Sequence, residues 1–249
     1  MKEKKVFYSE FAYIIGIVAL AFGTALSERA DFGMSMVVAP AYILHLKVSE
    51  IFKWFSFGVA EYCTQAILLV ATAISLRKFK PMYLFSFLTA IIYGIILDGS
   101  IKLLSIILGD NSSAETIVMT NPGTVSGIIN SAFIGRIILF VLGMLFCSLG
   151  VSMLFHTYFA PEAYELLVKE VSTNFNTNIN KTKTIYDCTS CVVAIIMSFV
   201  FFGLWHFEGV KIGTVICALL NGFLIGRFSK LFEAVFEFKD KLAIKKFFE

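Results

Sequence analysis

The stretch FGTALSERADFGMSMVVAPAYILHL, residues 22–46, decides how the rest of the chain is read. Its start closes an apolar run that begins after Glu10. Glu28, Arg29 and Asp31 then crowd together, and residues 32–46 carry no charge. Those fifteen residues fall short of the roughly 17–25 that a membrane helix needs, and they contain Gly33, Pro40 and His45. Backbone of this kind is held at membrane depth only where protein or water satisfies its polar groups. The segment is therefore either a re-entrant or interfacial short helix or an outer amphipathic loop.

Outward from this stretch the chain is membrane protein throughout. Of its 249 residues 58% are hydrophobic and 16% charged, with a mean hydropathy of +0.82, which excludes an ordinary soluble domain. Six apolar runs are long enough to span a bilayer: about 10–28, 54–76, 82–108, 132–155, 188–207 and 211–228. The first, behind Met1 to Lys5, also has the shape of a secretory signal peptide. It is read as an uncleaved span, because the duplication described below needs it.

Orientation follows from the cations. With the N-terminus inside, fifteen of the 21 Lys and Arg residues fall on the cytoplasmic side, which places both termini there. The net charge of +3 is a topology signal and not a nucleic-acid footprint. Residues 109–131, rich in Asn, Ser, Pro and Gly, read as an extracytoplasmic linker. From His156 to Lys183 the chain is mixed, with Ala163, Leu166, Leu167 and Val171 at helical spacing, and reads as an interfacial amphipathic helix. Residues 174–180 read as a polar loop, and 231–249 as a charged cytoplasmic tail forming a surface helix.

The chain repeats itself weakly. Residues 22–26 (FGTAL) fall against 149–153 (LGVSM), offset 127; Glu61 against Asp187, offset 126; and Tyr93-Gly94 against Asn221-Gly222, offset 128. Phe32-Gly33 falls against Phe159-Ala160 at the offset of 127 as well; within the first span Gly16 and Gly23, seven apart, share roughly one face and let another helix approach closely, and the fourth span carries Gly143 and Gly150. Three spans per half require the second copy to enter from the opposite side. The expected fold is therefore all-α: six transmembrane helices in two inverted three-helix repeats, 1–108 and 132–230, each with an interrupted or interfacial short helix.

The stretches FGTALSERADFGMS (22–35), FAPEAYELL (159–167), TKTIYD (182–187) and GVKIGTVICALLNG (209–222) resemble the YczE/YyaS/YitT family of bacterial integral membrane proteins over most of the chain. The resemblance implies a multi-pass protein of the bacterial inner membrane with about six helices. It brings no substrate or reaction.

Ionisable groups inside spans are the functional clue, since a charge at the bilayer centre costs at least about 2.5–3.5 kcal/mol. Glu61, Asp98 and Arg136 all read as lying in the outer half of their spans, so a shared polar cavity between the halves is expected, serving either as a binding or coupling site or as a structural ion pair. Asn221, whose amide needs a partner inside the bilayer, and Asp187, read as a cap at the start of span 5, complete the candidate substrate-binding set. Glu28, Arg29 and Asp31 read as a solvated turn, and His45, His156 and His206 as interfacial.

Cys188 and Cys191 share a helix face but lack the second pair that a zinc site needs. No phosphate loop or nucleophile elbow is present, so neither an enzyme nor a cofactor is indicated. Two functions remain. One is a membrane transporter, or the membrane-embedded substrate-binding subunit of one working with an ATPase, for a small molecule bound between the repeats. The other is a non-transporting accessory partner of another membrane protein, or an intramembrane enzyme. The bilayer is the one certain partner, and no nucleic acid is expected.

Overall fold

A computed structural model describes residues 5–76, 82–108, 125–159, 162–177, 179–203 and 210–239. In chain order the elements are β1 (Lys5–Tyr8), α1 (Ser9–Ala30), α2 (Ala39–Ser49), α3 (Phe57–Leu76), α4 (Met82–Leu108), α5 (Val125–Phe155), α6 (Ala163–Asn174), α7 (Ile179–Phe202), α8 (Ile212–Val235) and β2 (Phe236–Lys239). Helices α1, α3, α4, α5, α7 and α8 are long and apolar enough to cross a membrane. The fold is all-α with six candidate spans, and α2 and α6 are the two short helices.

Close approach of backbones organises the bundle. Helices α1 and α5 run antiparallel, Gly16 against Gly150 and Gly23 against Gly143, so that a Cβ on Gly23 would sit 2.6 Å from the amide nitrogen of Cys147. Around this seam Ile17, Ala21, Ala25 and Leu26 of α1 meet Tyr93 and Leu97 of α4 in the main core. Buried hydroxyls tie the same helices, Tyr93 donating to Thr24 Oγ1 at 2.9 Å while the Tyr13 and Thr89 hydroxyls lie 2.6 Å apart. On the other side α8 runs parallel to α5, Gly213 meeting the Phe140 ring and Ser148 donating to Asn221 Oδ1 at 3.4 Å.

Helix ends follow local chemistry. Asp31 takes a left-handed φ of 55° and Gly33 a φ of 105°, which stops α1 and turns the chain. Pro40 in the first turn of α2 supplies no N–H where none is needed. Ser56 caps α3 by accepting the Val59 N–H at 3.2 Å.

Both short helices begin halfway along long helices of the opposite half. Just before α2, the Met36 carbonyl accepts a hydrogen bond from Ser190, midway along α7. At the start of α6, the Ala163 N–H donates to Gln65, midway along α3. Residues 163–174 thus form the short helix expected in the mixed stretch 156–183, packed against α3. Helix α7 also starts earlier than expected, taking in Lys181 to Asp187, so Asp187 lies two turns inside it and is not its cap.

The tail differs too. Beyond Val235 the alternation Phe236-Glu237-Phe238-Lys239 suits a strand, and β2 pairs in parallel with β1, placing Phe7 5.2 Å from Phe236 and 5.9 Å from Phe238. That pairing brings residues 5–8 and 236–239 together where a surface helix was expected, and residues 240–249 of the tail lie outside the described residues. Most of the linker, like His206, lies outside the described residues, and residues 125–131 already belong to α5.

Candidate functional site

Helical spacing assembles the site. Glu61 and Gln65 stand four apart on α3 and so share a face. Glu162, Tyr164 and Glu165 surround the first turn of α6, and Lys183, Tyr186 and Asp187 line one side of α7. The packing of α6 against α3 and α7 brings the three groups together. Glu61 and Gln65 are wholly inaccessible, and Glu162 is 4% exposed.

Gln65 is the bridge. Its Oε1 accepts the Ala163 N–H at 3.1 Å, which turns its amide nitrogen toward both acids, 3.4 Å from Glu61 Oε2 and 3.4 Å from Glu162 Oε2. Tyr164 donates its hydroxyl to Glu61 Oε2 at 3.0 Å. The other oxygen of each acid, Glu61 Oε1 and Glu162 Oε1, is buried with no hydrogen-bond partner. Lys183 is held by Glu165 at 3.2 Å and Asp187 at 3.4 Å. Burial, reinforced by the charges of Glu165 and Glu61, pushes the Glu162 carboxyl well above the usual carboxylate range; Lys183 and the Gln65 amide pull the other way. Burial likewise raises the Tyr164 phenol, so it stays a donor.

Gly58 of α3 meets the Gly94 carbonyl halfway along α4, and Glu61 follows one turn later, in the first third of α3.

The site lies wholly inside the stretch that matches a family model. Residues 7–230 match DUF6198, a family of unknown function. The chain belongs to that family. No curated protein and no solved structure matches it.

In this DUF6198 protein the residues singled out from sequence go to four places. Glu61 alone joins Gln65 and Glu162, with Asp187 at the edge of the same group through Lys183. Asp98 instead accepts the Gly58 N–H at 2.8 Å and the Ser56 hydroxyl, completing the N-cap of α3. Arg136 reaches Asp31, Nη2 to Oδ2 at 2.9 Å, and the Ala30 carbonyl. Lys211 also binds Asp31, so the carboxylate read as a solvated turn ties α1 to α5 and to the start of α8. Asn221 makes the helix–helix hydrogen bond to Ser148. The expected meeting of Glu61, Asp98 and Arg136 therefore does not occur. Depth alone suggested it, and each residue has a nearer partner on a helix that packs against its own.

Sequence reasoning missed Gln65, Glu162, Tyr164, Glu165, Lys183 and Tyr186. The available signals were the i, i+4 pairs Glu61/Gln65 and Lys183/Asp187, and the stretches FAPEAYELL and TKTIYD, which meet here.

The capping role of Asp98 makes a separable expectation. Replacing it by alanine removes a charged acceptor from two donors at a buried helix start, so Asp98→Ala loses about 1.5–3 kcal/mol of stability. Asp98→Asn, which keeps one acceptor, loses less. Thermal unfolding of the detergent-solubilised protein reads the difference, and equal melting of Asp98→Ala and wild type would remove the cap.

Proposed function

We propose that the protein is a membrane transporter, and that Glu61 and Glu162 form the core of its coupling site between the two halves. The observation that carries this reading is a pair of buried acids, one from each half, bridged by a single amide where a short helix starts halfway along α3. Interrupted helices that end at mid-membrane next to ionisable groups are how secondary transporters build binding sites.

Part of the packing supports an inverted duplication. Exchange of α1 with α5, α2 with α6, α3 with α7 and α4 with α8 turns the α1–α4 contact into α5–α8, α2–α7 into α6–α3, and α2–α3 into α6–α7, whereas the α3–α4 and α4–α6 contacts have no counterpart of similar extent among the described residues. The contact Gly16–Gly150 exchanges with Gly143–Gly23 at the offset of 127. Two halves packed this way can rock about the glycine seam, with the acids at their boundary. Excess acid favours a cationic substrate or a proton as the coupled ion.

The test is uptake of a panel of labelled small organic and inorganic cations, with neutral and anionic controls, into lipid vesicles containing the full-length protein. Accumulation of at least one cation above protein-free vesicles is expected. If nothing moves, the transporter reading fails; recovery of an ATPase pair from native membranes would then favour a substrate-binding subunit.

A further inference from the structure

We propose that Glu61 and Glu162 form a proton-binding site that holds at least one proton while α6 is packed on α3. The inference rests on the transport reading only for what the proton is used for. The site itself stands on the inventory of donors and acceptors.

Because Gln65 Oε1 is taken by the Ala163 N–H, the amide can offer only its two N–H groups, one to each acid. The Tyr164 hydroxyl adds a donor for Glu61. Nothing reaches Glu61 Oε1 or Glu162 Oε1, although both are cut off from water. A protonated carboxyl lowers the cost of this burial, since it removes one of the two negative charges and a neutral carboxyl oxygen without a partner is far less costly to bury than an ionised one.

The surrounding charges point the same way. Facing the pair are Glu165 and Tyr164 from α6, Lys183, Tyr186 and Asp187 from α7, Tyr93 from α4, Tyr13 from α1 and Cys147 from α5. Lys183 is the one cation of this set, and its two partners, Glu165 and Asp187, already exceed its charge. Two ionised acids would therefore stand unmatched in a buried, low-dielectric site, a costly state that buried acids avoid by keeping a proton. Burial raises the Glu162 carboxyl in the same sense. A metal ion is the poorer occupant, since no three His, Cys, Asp or Glu side chains among the described residues are placed to hold one. The protons of such a pair belong to both residues and leave in two coupled steps.

The way out is mechanical. Glu162 precedes α6, whereas Glu61 and Gln65 belong to α3, so separating those helices breaks the bridge and admits water to both acids. In water a carboxyl gives up its proton at neutral pH. The site thus binds a proton when closed and releases it when open.

Infrared difference spectroscopy of the full-length protein in lipid, titrated with pH, tests this. The wild type is expected to show the carbonyl band of a protonated carboxyl at neutral pH and to lose it under alkaline conditions. Glu162→Gln and Glu61→Gln, which keep shape and hydrogen bonding, should each remove or displace the band. Tyr164→Phe, which takes away a donor, should carry the band to higher pH. Absence of the band from wild type at neutral pH, or an unchanged band in both glutamine variants, would overturn the site. If those variants fail to fold, the wild-type titration and Tyr164→Phe still decide. The measurement reads the proton and not a solute, so a band without vesicle uptake rejects transport alone, and uptake without a band rejects the site alone.

Discussion

Gly23→Val is expected to prevent the bundle from assembling. A Cβ at this position would lie 2.6 Å from the Cys147 amide nitrogen, 2.7 Å from the Gly143 carbonyl oxygen and 2.8 Å from the Cys147 sulfur. Two of these atoms are backbone of α5, so relief requires α1 and α5 to separate along the seam that also holds Gly16 and Gly150. Overpacking costs about 1–3 kcal/mol where side chains can adjust, and here the rigid partner puts the loss at or above the upper end. In a membrane the loss is felt directly, because helix association depends on close packing rather than on a hydrophobic drive. Gly150→Val, whose Cβ would meet the Gly16 carbonyl at 2.6 Å, should behave alike. Gly99→Ala, Gly222→Ala and Gly226→Ala, which open onto free space, are the matched controls and should melt within about 1 kcal/mol of wild type. Monodisperse elution and thermal unfolding separate these outcomes, and a Gly23→Val protein that melts like the controls would contradict the α1–α5 seam.

The second large effect is on the pH dependence of stability. The Glu162 carboxyl is raised in the folded protein, so between its ordinary value and its raised value the folded state binds more protons than the unfolded state. Its contribution to stability is fully present below the ordinary carboxylate range and is lost as pH rises through the folded value. The wild type should therefore become more stable on acidification from neutral pH, by up to about 1.4 kcal/mol per pH unit for one such group. Glu162→Gln should flatten that slope. Gln65→Leu should act most strongly at neutral pH, costing about 3 kcal/mol or more, because it leaves the Ala163 N–H and both acids without a shared partner. Unfolding followed between mildly acidic and mildly alkaline pH checks both, and a Glu162→Gln variant with the wild-type slope would show that Glu162 is not the group responsible.

Much of the architecture was legible because it depends on run length and spacing. Uncharged stretches mark the six helices, and the glycine pairs Gly16/Gly23 and Gly143/Gly150 stand where α1 and α5 touch. The amide of Asn221 advertised its helix–helix hydrogen bond. The site was less legible, because which charges meet is a matter of tertiary neighbours. Arg136 was matched with Glu61 and Asp98 by depth, whereas Asp31, three residues past the Glu28 that faces the same cleft, was nearer once the left-handed turn had folded it back. Glu162 and Glu165 did not stand out because the stretch around them is amphipathic and reads as an interfacial helix, with Ala163, Tyr164, Leu166 and Val168 buried. The same pattern serves a short helix whose polar groups face protein instead of solvent. Periodicity does not distinguish the two. The strand pairing of β1 with β2 was hidden for a similar reason, since its partners lie at opposite ends of the chain.

The most direct measurement is uptake of labelled cations into sealed vesicles made with an acidic lumen and containing either wild-type or Glu162→Gln protein. The account predicts that at least one cation accumulates in wild-type vesicles, that dissipating the proton gradient with a protonophore abolishes the accumulation, and that Glu162→Gln vesicles match protein-free ones. Accumulation that survives the protonophore and is equal in wild-type and Glu162→Gln vesicles would contradict a proton-coupled site at Glu61 and Glu162.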